Sequence, residues 1–188
     1  LEVRVLRGEG DQGTTLAHSP DGRRLAVGFW NGIVELWDLP SGEVRRLGRL
    51  AANVEDVDFS PDGRLVAAAG ADGVARLFEA DGDAPPRLLG GHGAGVVRAR
   101  VSPDGRHVAT ASWDRTIRLW DLASGELVRV LTGHEQPIGA LALAPGGARL
   151  YSGAADGAIL VWDVAGGPPR RIGGQAGFVT DLHVSPDG

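Results

Sequence analysis

The chain is 188 residues long, with a formal net charge of −5 and no cysteine. Without thiols there is neither a disulfide nor a thiolate site, and no apolar run reaches the roughly 18 residues of a membrane-spanning helix. Acidic and basic residues are interspersed without a basic stripe, which argues against nucleic acid as the main partner.

Along the chain, Glu2–Leu6 alternates as a strand before the first turn signal. Ser-Pro-Asp-Gly then occurs at Ser19–Gly22, Ser60–Gly63, Ser102–Gly105 and Ser185–Gly188, with a degenerate copy, Ala144-Pro145-Gly146-Gly147, in the one gap. Successive copies are 41 or 42 residues apart. A fixed period of this size marks a repeat architecture. It divides the chain into units at about 9–48, 49–90, 91–132 and 133–173, followed by a lone strand at 178–184.

The third unit shows what one period contains. Val96–Val101 and Thr116–Trp120 alternate as strands, and His107–Ser112 and Glu126–Leu131 are two more β-rich runs. The joints are Ser102–Gly105, Trp113-Asp114-Arg115 and Asp121–Gly125. In the first joint proline presets φ and glycine supplies φ > 0. Four short runs with turns between them predict a four-stranded antiparallel meander. No apolar 3.6-residue periodicity is long enough to predict a helix.

Other signatures keep the same register. Trp37-Asp38, Phe78-Glu79, Trp120-Asp121 and Trp162-Asp163 end the third strands, and Asn31, Asp72, Asp114 and Asp156 each lie six residues before that aromatic. Gly91-His92 and Gly133-His134 open two units. On these residues the chain resembles the WD-repeat β-propeller family, over essentially its whole length. Ser-Pro-Asp-Gly turns also occur in TolB-type propellers, which generally lack the Trp-Asp ending. The resemblance implies an all-β propeller of four-stranded blades: four complete blades here, with 2–6 as the outer strand of a preceding blade and 178–184 as the first strand of a following one. Seven blades, the usual number in the family, need roughly 290 residues, so the expectation is a piece of a larger propeller or a subunit of an oligomeric ring. Open blade edges would then associate with the remaining blades or with another copy.

The resemblance also implies a hydrogen-bonded tetrad in each blade. The third unit supplies His92, Ser112, Asp114 and Trp120; the fourth has His134, Asp156 and Trp162 but Ala154 at the serine place. The second retains only Asp72, with Gly70 and Phe78 elsewhere, and the first has Phe29, Asn31 and Trp37. His92, Ser112 and Asp114 also have the residue types of a hydrolase triad, but that serine falls within a strand and no oxyanion-hole loop accompanies it.

The remaining chemistry is sparse. Gly91–Gly95 is glycine-rich but leads into a strand, not a helix, so it lacks a phosphate-cradling context. Asp81-Gly82-Asp83 reads as a solvated loop, and the five histidines show no metal-ligand spacing. No catalytic, cofactor or metal residue is expected. Trp30 and Trp113, with Arg115 beside the latter, stand just before and after the turn Asn or Asp, on the rim where family members commonly bind partners. Each Trp either contacts a partner or packs on its neighbouring blade. The function expected is a non-enzymatic protein-interaction scaffold that binds a protein or peptide, not nucleic acid or membrane. The alternative is the sensing module of a larger signalling enzyme. Composition rich in Gly, Ala and Arg, without Lys, is compatible with a bacterial source, and the absence of cysteine with the cytoplasm. The chain starts at Leu1 without a charged and apolar leader, which suggests an excised segment.

Overall fold

The computed structural model describes residues 8–185 and residue 187. The expected strand at 2–6 lies outside the described residues. The first sheet holds β1 (Gly13–His18), β2 (Arg24–Phe29), β3 (Ile33–Asp38) and β4 (Val44–Arg49). The second holds β5 (Val54–Phe59), β6 (Leu65–Gly70), β7 (Ala75–Glu79) and β8 (Arg87–Leu89). The third holds β9 (Val96–Val101), β10 (His107–Ser112), β11 (Thr116–Asp121) and β12 (Leu127–Thr132). The fourth holds β13 (Ile138–Leu143), β14 (Arg149–Ala154), β15 (Ala158–Asp163) and β16 (Arg170–Gly174). Each sheet is an antiparallel meander in chain order. These are propeller blades.

The Ser-Pro-Asp-Gly turn joins the first two strands of a blade. Ser19 Oγ donates to Asp21 Oδ1 (2.6 Å), and the same hydroxyl accepts the Arg24 N–H (2.9 Å). Asp21 Oδ1 also accepts the Arg23 N–H (3.0 Å), and Gly22 closes the turn at φ 67°. Ser60 and Asp62 repeat the pattern, as do Ser102 and Asp104. The serine hydrogen bond holds the Asp21 and Asp62 carboxyls below their ordinary value. Ala144 lacks the hydroxyl, yet Gly147 takes φ 70° and donates its N–H to the Ala144 carbonyl (2.8 Å). The degenerate copy therefore keeps the backbone turn and loses its side-chain bonds.

Blades stack because both faces of the middle strands are apolar. Ala68 joins Val34, Val54 and Phe78 in a cluster between the first and second blades, whereas Ala67 and Ala69 face Leu89, Val96 and Val108 between the second and third. Ala109 and Ala111 meet Ile138, Leu141 and Trp162 between the third and fourth. Side chains alternate across a strand, so consecutive residues feed adjacent seams, and alanine lets sheets approach closely.

Inner strand β1 neighbours β5, β5 neighbours β9, and β9 neighbours β13. The sheets thus follow one another around an arc that is not closed. Residues 178–184 carry no strand assignment, since no described strand pairs with them. They nevertheless lie against the fourth blade: Gly153 faces Val179 as Gly28 faces Val54.

Candidate functional site

Behind one rim of the arc, the loop leading into each first strand meets the turn between the second and third strands. In the third blade His92 Nδ1 bonds to Asp114 Oδ2 (2.8 Å) and Nε2 bonds to Thr110 Oγ1 (2.9 Å). Trp120 Nε1 donates to the same Thr110 oxygen (2.9 Å). Asp114 further accepts the Gly93 N–H, the Thr116 N–H and the Thr116 hydroxyl. Burial opposes its ionisation, but these bonds outweigh that and hold its carboxyl at about 2. Burial pushes the His92 imidazole below its ordinary value, consistent with a neutral ring that donates from Nδ1.

The hydroxyl that joins this network is Thr110, not Ser112. Ser112 lies two residues along the same face of β10, at the strand end. Its Oγ donates to the Ala94 carbonyl (3.0 Å) and accepts the Asp114 N–H (3.0 Å). The imidazole and indole converge one pleat deeper. Ser112 is therefore tied to backbone and not to His92, so His92, Ser112 and Asp114 do not line up as the triad their residue types allow.

The fourth blade needs the same correction. Ser152, not the place of Ala154, accepts the Trp162 N–H (2.7 Å) and bonds to His134 Nε2 (2.6 Å). Asp156 caps its own turn through the Ala158 N–H (3.0 Å), and His134 Nδ1 is buried without a hydrogen-bond partner. A hydroxyl ten residues before the tryptophan, in both 110/120 and 152/162, was the available signal.

The other two blades solve the problem differently. In the first, Glu35 on β3 is 1% exposed. It accepts the Trp37 indole N–H (2.9 Å) and the N–H groups of Glu9 (2.7 Å) and Gly10 (3.2 Å). The sequence reading missed it. In the second, Leu50, Ala68 and Phe78 stand in place of imidazole, hydroxyl and indole, all buried in the apolar seam. Asp72 there accepts the Ala51 N–H (3.1 Å) and pairs with Arg76 (2.7 Å).

The rim is what these networks hold in place. Trp30 is 61% exposed and Trp113 46%, and neither belongs to an apolar cluster. Their N–H groups are bound to the carbonyls of Gln12 (2.8 Å) and Gly95 (3.1 Å), which fixes the backbone beneath them. The Trp113 ring lies over Gly95, 3.3 Å from where a Cβ there would sit. Arg115 is exposed at φ 72°.

A second polar region lies on the inner strands. Asp56 and Asp58 on β5 and Arg98 and Arg100 on β9 help to line a cavity of about 620 Å³. Asp56 pairs with Arg100 and accepts the Ala99 N–H (3.0 Å), and Asp58 accepts the Val101 N–H (2.8 Å). Burial pushes the Asp58 carboxyl up to about 6. Among the described residues no three His, Asp or Glu side chains are grouped to hold a metal. Asp81 and Asp83 are engaged by Arg24 (2.7 Å) and Arg45 (3.3 Å).

The family description "WD domain, G-beta repeat" (WD40) matches residues 2–38, 44–79, 84–121 and 125–163. The chain belongs to the WD-repeat family. Each of the three later matched ranges runs from at or near the outer strand of one blade to the third strand of the next, so each of these repeats stitches two blades together. A 64-residue stretch is 45% identical to "WD repeat-containing protein SL1-17" of Schistosoma mansoni, covering 34% of this chain and 21% of that protein. A 75-residue stretch is 35% identical to "Telomerase protein component 1" of Rattus norvegicus, covering 40% of this chain and 3% of that protein. The matches thus span a minor part of either relative. Both relatives are eukaryotic and give the expected bacterial source no support. WD repeats generally mediate protein–protein interaction, and WD-repeat proteins are typically non-enzymatic.

Proposed function

We propose that this WD-repeat segment is a protein-interaction scaffold whose working surface is the rim carrying Trp30, Trp113 and Arg115. The observation that carries the reading is the exposure of two tryptophans on backbone pinned by cross-turn hydrogen bonds. Exposed large aromatics on a rigid base are what interface hot spots are made of. Extended peptides selected from a displayed random library supply the probe. The Trp30→Ala/Trp113→Ala double variant melts within a few degrees of the parent and binds those peptides about 30-fold or more weakly. A variant that binds as tightly as the parent, or fails to fold, contradicts the reading.

A further inference from the structure

We infer that Trp113 and Arg115 form an acid-reading corner of the rim, a site for a peptide segment that presents an aspartate or glutamate carboxylate. The inference rests on the rim being the working surface, and it assigns the chemistry of the partner there. It begins with the backbone. In the other three blades the residue after the turn Asn or Asp is glycine: Gly32, Gly73 and Gly157, at φ 84°, 82° and 78°. The third blade alone places a side chain there, and Arg115 at φ 72° is the one non-glycine with positive φ among the described residues. A left-handed backbone is one that side chains other than Asn and Asp rarely adopt. Such a departure is a pointer to function when the surroundings hold it, and the Arg115 N–H is held by the Ser112 carbonyl (3.2 Å).

The charge is also unanswered. Arg24, Arg76 and Arg100 pair with Asp81, Asp72 and Asp56. Arg115 is exposed and makes no ion pair or side-chain hydrogen bond among the described residues. Its chain neighbour Asp114 is taken up by His92, Gly93 and Thr116. A free guanidinium presents a planar fork that matches one carboxylate, and the exposed Trp113 two residues away gives that segment an apolar surface to lie on. A single unpaired cation at the corner balances the one charge of a carboxylate and would leave half the charge of a phosphate dianion unanswered.

Replacing Arg115 with glycine tests this cleanly, because glycine is the native residue at the three equivalent turns. Peptides are selected from a displayed random library, and each is resynthesised with Asp and Glu changed to Asn and Gln. Both forms are titrated by calorimetry against the parent chain, Arg115→Gly and Trp113→Ala. On the parent, removing the carboxylates weakens binding about tenfold or more. On Arg115→Gly, which melts no lower than the parent, the two forms bind alike. Peptides that depend on Trp113 but not on their own carboxylates overturn the acid-reading corner and leave the rim reading standing. So do peptides whose carboxylate dependence survives Arg115→Gly, or a phosphoserine form preferred over the carboxylate. Peptides indifferent to Trp30 and Trp113, or no selected peptide at all, overturn both.

Discussion

A buried indole N–H needs an acceptor, and the three tryptophan-bearing blades supply one in two ways. Thr110 and Ser152 accept from Trp120 and Trp162 and extend the network to His92 and His134, whereas Glu35 accepts from Trp37 and gathers the leading loop itself. The second blade removes the need with Phe78. Residue types at the right period made the network legible in the sequence, but not which of two hydroxyls on one strand face would serve. Thr110 and Ser112 share that face, and only the depth at which His92 and Trp120 meet separates them. Glu35 was hidden for another reason: a carboxylate in a third strand breaks the pattern it replaces. Asp58 gives a pH prediction. Its folded value of about 6 lies above the usual 3.9 or so of the unfolded chain. Folding therefore favours its protonated form, and the stability it contributes is full below about pH 4 and lost as pH rises through about 6. Asp58→Asn keeps an acceptor for the Val101 N–H and gives up the one that takes the Phe59 N–H, and its stability relative to the parent is more favourable by about 1–2 kcal/mol at pH 7–8 than at pH 4–5. Urea melts at the two pH values read this directly, and an equal effect at both contradicts the assignment.

Among the elements, the turns carry most of what the sequence announced. Ser-Pro-Asp-Gly reads as a tight turn because each residue contributes something different: a hydroxyl, a fixed φ, a carboxylate and a left-handed glycine. The fourth copy tests this division of labour, since it retains only proline and the last glycine. A Cβ at Gly146 would meet nothing within 4 Å, so the missing groups can be restored without a clash. Ala144→Ser/Gly146→Asp is expected to gain about 1 kcal/mol, which appears as a rise in melting temperature of about 2–4 °C. No rise would mean that the backbone turn alone is sufficient. The outer strands differ in a way no repeat pattern displays. β4 carries Arg45, Arg46 and Arg49, β8 is three residues long, and β16 begins with Arg170 and Arg171. β12 instead exposes Leu127, Val128 and Val130 on a six-residue edge. Charge and short length blunt an edge strand, so β12 is the edge least protected against pairing and the main rival to the rim as a contact surface.

At the scale of the whole molecule, the period of 41 or 42 residues was enough to give the architecture, because a blade cannot bury its faces alone and must stack. The inward-facing charges were less legible. Asp56 and Asp58 lie in one strand and Arg98 and Arg100 in another, and only the curvature of the arc brings them around one cavity. The rim was legible as a place, from the residues flanking each turn Asn or Asp, but the left-handed backbone of Arg115 was not, since arginine gives no signal of it. The account therefore depends on where a partner sits. Amide hydrogen exchange of the chain with and without a library-selected peptide measures that location. Slowed exchange at 30–32, 93–95 and 113–116, with β12 and the inner strands unchanged, is the predicted result. Protection confined to β12 or to the inner-strand cavity would contradict the rim as the working surface.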